Sequence, residues 1–386
     1  MRRQKIKERD DWRAQAEALG FNFHSMYGAA YWCESACYEF TLKQIEDDIE
    51  DPSNELEQMC FEIVDQALKD EEILIKLSIP EDFWDYIQAS WIKKEKNLYG
   101  RFDFSYNGTS PAKLLEYNAD TPTALYESAV FQWIWLEQAI AAKIVPKGCD
   151  QFNSLHERLV EAFKNFDIES KLHLTSSKGY EEDEATVRYL EECAIQAGLE
   201  TNFIYLEDIG IDDAGALVDL DDDDISALFK LYPWEWLVKD EFSTGVRNAE
   251  MKIIEPGWKM ILSNKGLLPL LWENFENHPN LLPAYFIQDS RASDITQNYV
   301  KKPLFSREGA NVEIFTSEGL KDSVGGPYGE EGYILQALEP LPVFESNHTV
   351  VGTWMVASQA SGLCLREDDT PITKDTSRFV PHVILD

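Results

Sequence analysis

Arg101, Asp103, Glu116 and Asn118 are the residues whose types and spacing could do chemistry together. Two carboxylates and an amide offer hard oxygen donors, and a guanidinium stands beside them. Such a set suits Mg²⁺ carrying phosphate oxygens, because Mg²⁺ takes one or two carboxylates and leaves its other positions to substrate phosphates. Arg101 would neutralise charge on a phosphoryl group in transfer. The set works only if the four side chains meet. Tyr99 to Tyr106 alternates, with Phe102, Phe104 and Tyr106 on one face and Arg101, Asp103 and Ser105 on the other. Asn107-Gly108-Thr109-Ser110-Pro111 is turn chemistry. The next run alternates again, with Leu115 and Tyr117 on one face and Glu116 and Asn118 on the other. Paired antiparallel, the two runs bring all four polar groups to one face. The same pattern also describes a plain hairpin with a solvated polar face.

Cations that could serve the same phosphates come later in the chain. Lys265 and Lys302 are point charges, and Arg307 is a flat two-donor fork. Arg307-Glu308-Gly309 lies in a short glycine-bearing loop between two strands, where exposed backbone donors could cover a polyphosphate. There is no Gly-x-x-x-x-Gly-Lys-Ser/Thr run, so this is not a P-loop protein. Residues 171–206 read as strand, helix, strand, with parallel pairing expected. Glu181 and Glu182 then fall at the carboxyl end of the first strand, where α/β sheets bind ligands. They are also ordinary residues for a first helical turn.

Gly100-Arg101-Phe102-Asp103 followed by Leu115-Glu116-Tyr117-Asn118-Ala119-Asp120 resembles the synthetase domain of the glutathionylspermidine synthetase family. The resemblance recurs at Ile254 to Pro269, Tyr299 to Asn311 and Ser361 to Arg366, and so runs along nearly the whole chain. It implies an α+β, ATP-grasp-like synthetase fold over residues 1–386, with a helical segment at 1–98, a metal and phosphate hairpin at 99–123, an inserted α/β unit at 170–210 and an ATP-binding lobe at 250–386. It implies an ATP-dependent carboxylate–amine ligase that forms ADP through an acyl phosphate and joins a peptide-like carboxylate such as glutathione to an amine. Asp103, Glu116 and Asn118 would hold Mg²⁺, and Arg101 would be catalytic. ATP would be bound by Arg101, Asp103, Lys265, Lys302, Arg307, Glu308 and Gly309, with Leu335, Gln336, Ala337, Leu338 and Thr373 on the adenine side. Thr121, Thr123, Glu181, Glu182 and Arg366 would contact the substrates. An ATP-grasp-like protein that binds nucleotide without ligating, or a hydrolase working through Asp103 and Glu116, remains open on the residues alone.

The whole chain sets limits on partners. It has 386 residues, 44% of them apolar, enough to bury a sizeable core. A net charge of −35 argues against nucleic-acid backbones and anionic membranes. No apolar run reaches about 18 residues, so no membrane span is expected. The basic start lacks an apolar signal core, and a cytoplasmic protein acting on small molecules is expected. Six cysteines have no metal-knuckle spacing and read as reduced, buried thiols, with Cys33 and Cys37 stacked on one helical face. Few residues precede the hairpin, and they read as helices of the same unit, so no amidase domain is expected.

Along the chain, residues 10–77 read mostly as helix, broken at Asp51-Pro52-Ser53-Asn54. Ala124 to Lys143 reads as a buried helix. Asp221 to Asp224 lacks calcium-loop spacing and reads as a solvated turn. Lys230 to Trp236 reads as an aromatic core block.

Overall fold

The hairpin lies inside a six-stranded antiparallel sheet. Tyr99–Ser105 pairs with Lys113–Asn118 so that Arg101 faces Asn118 and Asp103 faces Glu116. Its other edge pairs with Asn347–Val356, which sets Trp354 opposite Arg101 and Gly352 opposite Asp103. Gln359–Asp368, Arg378–Phe379 and the short Val343–Phe344 complete the sheet. Phe102, Phe104 and Tyr106 enter the main core, where Phe102 stacks on Tyr117 at 3.9 Å. Burial of each such side chain contributes about 1.5–3 kcal/mol. Every residue of Tyr99–Ser105 is buried, so the polar face is not a solvated one. A register shift separates the Asp103–Glu116 pair from Phe104–Leu114. This bulge corrects the simple alternation. Leu114 and Tyr117 take the core side, while Leu115 is left beside Glu116 on the cavity side.

These statements rest on a computed structural model that describes residues 1–386 except 214, 249–250, 296 and 386. Three of these, 250, 296 and 386, fall in the region read as a lobe over 250–386.

Helix Glu181–Gln196 joins Leu172–Ser176 to Thr201–Tyr205, and those strands pair in parallel. The parallel sheet continues past residue 210 with Ala227–Lys230 and Lys252–Ile254 on the far side of Leu172–Ser176. A five-stranded antiparallel sheet follows, ordered Ala284–Phe286, Tyr333–Ala337, Tyr299–Pro303, Glu313–Thr316, Gly319–Ser323. The fold is thus mixed helix and sheet.

The helical reading of 1–98 holds only in part. Ala36–Phe40 is a strand, held between Arg2–Lys5 and the distant His382–Ile384. Local periodicity cannot see a partner at the far end of the chain. Cys33 and Cys37 therefore share no helical face, although all six cysteines are free and buried. Asp51-Pro52 breaks nothing either. Leu42–Ile45 passes through a π-helical turn at Glu46–Glu50 into Asp51–Ala67, so Pro52 lies inside a continuous helical run, directly after the widened turn that goes with its missing N–H. Asn54 caps no helix; its side chain accepts from the Ala360 N–H at 2.9 Å. Residues 127–141 are a π turn and an α-helix, and among the described residues no helix is long and apolar enough to cross a membrane.

Candidate functional site

Arg101 grips Asp103 with both arms of its fork, Nε to Oδ1 at 2.7 Å and Nη2 to Oδ2 at 2.9 Å. Its remaining arm donates from Nη1 to the Thr123 carbonyl at 2.6 Å. The guanidinium also lies 5.4 Å from the centre of the Trp354 ring. This placement depends on the bare Gly352 backbone. A Cβ there would come within 2.9 Å of Arg101 Cδ and 3.0 Å of Asp103 Oδ1. Burial pushes the Asp103 carboxyl up, against the pull of the Arg101 charge.

Asn118 spans the two carboxylates, its Nδ2 donating to Asp103 Oδ2 at 2.9 Å and to Glu116 Oε1 at 3.4 Å. Glu116 Oε2 meets Lys265 Nζ at 3.0 Å. Lys302 Nζ donates to the Leu115 carbonyl and to Gln336 Oε1, both at 2.8 Å. Burial alone would raise Glu116, but the Lys265 and Lys302 charges outweigh it and hold the carboxyl at about 2. Burial in turn lowers Lys302 to about 8, with Glu116 opposing. Among the described residues no group of three or more His, Cys, Asp or Glu is placed to hold a metal, so any cation here would rely on Asn118 as well as two carboxylates.

Arg101, Asp103, Glu116, Asn118 and Lys302 line a cavity of about 340 Å³, and Lys265 is joined to it through Glu116. Thr121, Thr123, Arg307, Glu308 and Gly309 also line it. Arg307 donates to Thr121 Oγ1 at 2.5 Å, and its guanidinium lies 5.6 Å from the Trp236 ring centre. Trp236 is 43% exposed, which corrects its reading as core: it flanks the cavity loop instead. Gly309 has φ 72°, and a Cβ there would meet Ile372 Cγ2 and the Thr373 carbonyl at 2.7 Å. Val300, Ile314, Leu338 and Ile372 form an apolar side of the same cavity. Of the five residues read for the adenine side, Leu338 and Thr373 line it. Leu335 packs with the main core, and Gln336 reaches the cavity only through Lys302 while its Nε2 donates to the Leu114 carbonyl. Ala337 is bonded by its N–H to the Pro283 carbonyl and is not among the lining residues.

Glu181 and Glu182 part company. Glu182 lines the first cavity, whereas Glu181 lines a second one of about 900 Å³ with Trp133, His156 and Arg188. Adjacent helical residues point about 100° apart, so one acidic pair serves two cavities. Burial, with the Glu127 charge adding, pushes Glu182 up to about 8, and burial pushes Asp183 up to about 6. Arg366 lines the first cavity, yet its Nε and Nη2 are spent on the carbonyls of Ser377, Lys374 and Asp375.

Some contributors were missed in the sequence. Gly352 could have been noticed, since a glycine inside a strand signals close approach. The buried Lys230–Asp120 pair at 2.8 Å carries no local signal.

A cleft with a forked arginine, paired carboxylates and clustered lysines suits small charged molecules. The chain belongs to the glutathionylspermidine synthase preATP-grasp family, whose model matches residues 3–385. It is 41% identical to a Haemophilus influenzae protein provisionally named an acid–amine ligase, over 97% of both chains. It is 28% identical to the bifunctional glutathionylspermidine synthetase/amidase of Escherichia coli, over 90% of this chain and 59% of that one. With the trypanothione synthetase of Crithidia fasciculata it shares 29% identity, over 84% of this chain and 53% of the relative. The chain thus spans little more than half the length of these last two proteins.

Proposed function

We propose that this protein is an ATP-dependent carboxylate–amine ligase with an ATP-grasp-like arrangement spanning 1–386. Relatives named as synthetases and as an acid–amine ligase support the class. One observation carries the site: Arg101, Asp103, Glu116, Asn118 and Lys302 line one cavity, and Lys265 pairs with Glu116 at its wall. Lys265, Lys302 and Arg307 hold phosphate oxygens, and the apolar side at Val300, Ile314, Leu338 and Ile372 takes the adenine. The donor set fits Mg²⁺. Asp103 and Glu116 give carboxylate oxygens, and the Asn118 amide, turned over, adds a third. Bound there, Mg²⁺ supplies charge neutralisation for the phosphates. Asp103 and the Thr123 carbonyl hold the Arg101 fork in place before any substrate arrives, so that side chain needs little reorganisation at the moment of transfer. A substrate carboxylate attacks the γ-phosphorus and ADP departs. The resulting acyl phosphate is attacked by an amine, a C–N bond forms, the C–O bond breaks and phosphate leaves. The names of the relatives suggest glutathione as the carboxylate and spermidine as the amine.

ADP release should require both a carboxylate and an amine, and the product should gain the mass of their condensation. ATP turnover indifferent to both would reduce the protein to an ATPase or a binder.

Two further outcomes follow from the same arrangement. Gly352→Ala should leave the fold intact but lower turnover by about 10²-fold, because it shifts Arg101 and Asp103 by a fraction of their hydrogen-bond length. Parallel melting curves and ADP assays check this, and unchanged turnover would show that the Arg101 position is not critical. Protease cutting within 305–311 should fall when Mg-ATP is added, as the Arg307 loop closes on phosphate. Equal cutting with and without nucleotide would count against a covering role.

A further inference from the structure

We propose that Asp368 and Ser377 are positioning residues that hold Arg366 in the cavity with its charge free to receive a substrate oxyanion. This rests on the ligase reading above.

Arg366 is 8% exposed and lines the first cavity from the strand Gln359–Asp368. Three backbone carbonyls hold it. Ser377 accepts from Nε at 2.9 Å, and Lys374 and Asp375 accept from Nη2 at 3.0 and 2.9 Å. The guanidinium lies 5.2 Å from the Tyr31 ring centre. Among the described residues no carboxylate forms an ion pair with it, and Glu182 acts on it only at longer range. Neutral carbonyls orient a guanidinium without cancelling its charge. The other cavity cations are placed differently. Arg101 is forked onto Asp103, and Lys265 meets Glu116. Arg307 has a hydroxyl partner, but it rides on the 305–311 loop and not on a strand. An arginine has five N–H donors, and the two on Nη1 of Arg366 form no bond among the described residues. They are the donors left for an incoming oxyanion.

Carbonyls of a surface loop ordinarily turn to water. Asp368 explains why these three turn inward. Its Oδ1 accepts from the N–H and the Oγ1 of Thr370, both at 2.8 Å, and its Oδ2 accepts from Ser377 Oγ at 2.7 Å. Ser377 Oγ accepts in turn from the Lys374 N–H at 2.8 Å, and the Ser377 N–H donates to the Lys374 carbonyl at 3.1 Å. Ser377 is 1% exposed. One carboxylate thus pins residues 370 and 377, closes 369–377 into a loop and aims the carbonyls of 374, 375 and 377 at one guanidinium. Burial alone would raise the Asp368 carboxyl, but the bonds from Ser377 and Thr370 hold it below its ordinary value, so it stays an ionised acceptor at neutral pH. Its own charge is answered by Lys374 Nζ, 3.6 Å from Oδ1.

Under the ligase reading the oxyanion comes from one of two sources, the γ-phosphate of the nucleotide or the carboxylate of the acid substrate. The test separates them. It uses Asp368→Ala, Ser377→Ala, the conservative Ser377→Thr and, as reference, Arg366→Ala. In the whole protein labelled with ¹⁵N-arginine, the Nε–H signal that Arg366→Ala removes should exchange slowly with water in the wild type. Exchange should quicken by about tenfold in Asp368→Ala and Ser377→Ala and stay slow in Ser377→Thr. This measurement needs no substrate. Calorimetric titration then uses two probes, adenylyl imidodiphosphate and glutathione. Arg366→Ala should weaken only one of them: the nucleotide, with ADP affinity unchanged, if Arg366 receives the γ-phosphate, or glutathione if it receives the carboxylate. The same probe should lose about tenfold in Asp368→Ala and in Ser377→Ala, and most of that should return in Ser377→Thr. Exchange that stays slow in Asp368→Ala and Ser377→Ala overturns the positioning. An Arg366→Ala that binds both probes no worse than the wild type overturns the receiver role. Equal loss of both probes in Asp368→Ala and Ser377→Ala overturns the proposal too, because it makes the loop a general brace. The expected exchange and the loss of one probe, beside a wild type that condenses no acid with an amine, put the failure in the ligase reading and leave the oxyanion site standing.

Discussion

Arg101→Ala is expected to abolish turnover while leaving most of the ATP affinity in place. Lys265, Lys302 and Arg307 still offer charge to phosphate oxygens, and Glu116 and Asn118 still offer oxygens to a cation. Arg101 differs from these because it is fixed before substrate arrives: three hydrogen bonds and the Trp354 ring hold its fork. A donor of that kind acts when charge develops, and its loss costs roughly 10²–10³ in rate. Lysine at 101 should not restore activity, since it lacks the flat two-donor geometry that spans both Asp103 oxygens. The same geometry warns of a side effect. Asp103, 8% exposed in the intact protein, would be left with Asn118 as its main partner, and an unpaired buried charge can cost about 3–5 kcal/mol. Arg101→Ala therefore has to be read against its own melting curve. ATP titration and ADP release on one folded preparation decide the matter. If affinity and turnover fall together, Arg101 is an ordinary phosphate ligand; if turnover survives, the hairpin is not where the chemistry happens.

What could be read in the chain was whatever repeats locally. Alternation at 99–106 and 113–118 put Arg101, Asp103, Glu116 and Asn118 on one face, and the structure pairs Arg101 with Asn118 and Asp103 with Glu116. The helix 181–196 between parallel strands followed from its apolar spacing and from Gly198, which lies at φ 94°. What could not be read depends on partners far away in sequence. Ala36–Phe40 is a strand because Arg2–Lys5 and His382–Ile384 flank it. The bulge that turns Leu115 out of the core is invisible in a sequence that alternates well enough without it. Glu181 and Glu182 look like one acidic pair, and only the helix rotation sends them to separate cavities. Glu127 lies in a stretch read as a buried apolar helix, where a lone carboxylate looks like an interruption. Its recorded partner, the Tyr31 hydroxyl, comes from a distant part of the chain.

Lys230→Met is expected to destabilise the fold by about 3–5 kcal/mol, the usual penalty for stranding one member of a buried ion pair. Lys230 and Asp120 are 0% and 3% exposed at their side chains and meet at 2.8 Å. The pair stitches three elements together. Asp120 closes the hairpin strand, and its Oδ2 accepts from the Trp234 N–H at 2.8 Å. Lys230 ends the strand Ala227–Lys230, also donates to the Tyr232 carbonyl at 2.9 Å, and lies 4.5 Å from the Trp234 ring centre. Methionine keeps much of the length and the apolar stem but none of the charge, so Asp120 would retain one backbone donor and no counterion. The double variant Lys230→Met/Asp120→Asn removes the stranded charge as well, and it should recover much of the loss because a neutral amide is cheaper to bury. Urea unfolding of the wild type, both single variants and the double variant gives the coupling directly. The site should feel the change too, since Thr121 follows Asp120 and accepts from Arg307, while Trp236 lies two residues beyond Trp234 against the same guanidinium. Lys230→Met should accordingly weaken ATP binding under conditions where the protein stays folded, and the double variant should restore part of it. Four equal unfolding curves would mean that water or a backbone shift takes over the role of Lys230. A single variant as destabilised as the double one would mean that the lost packing of the lysine stem, and not the stranded carboxylate, sets the cost.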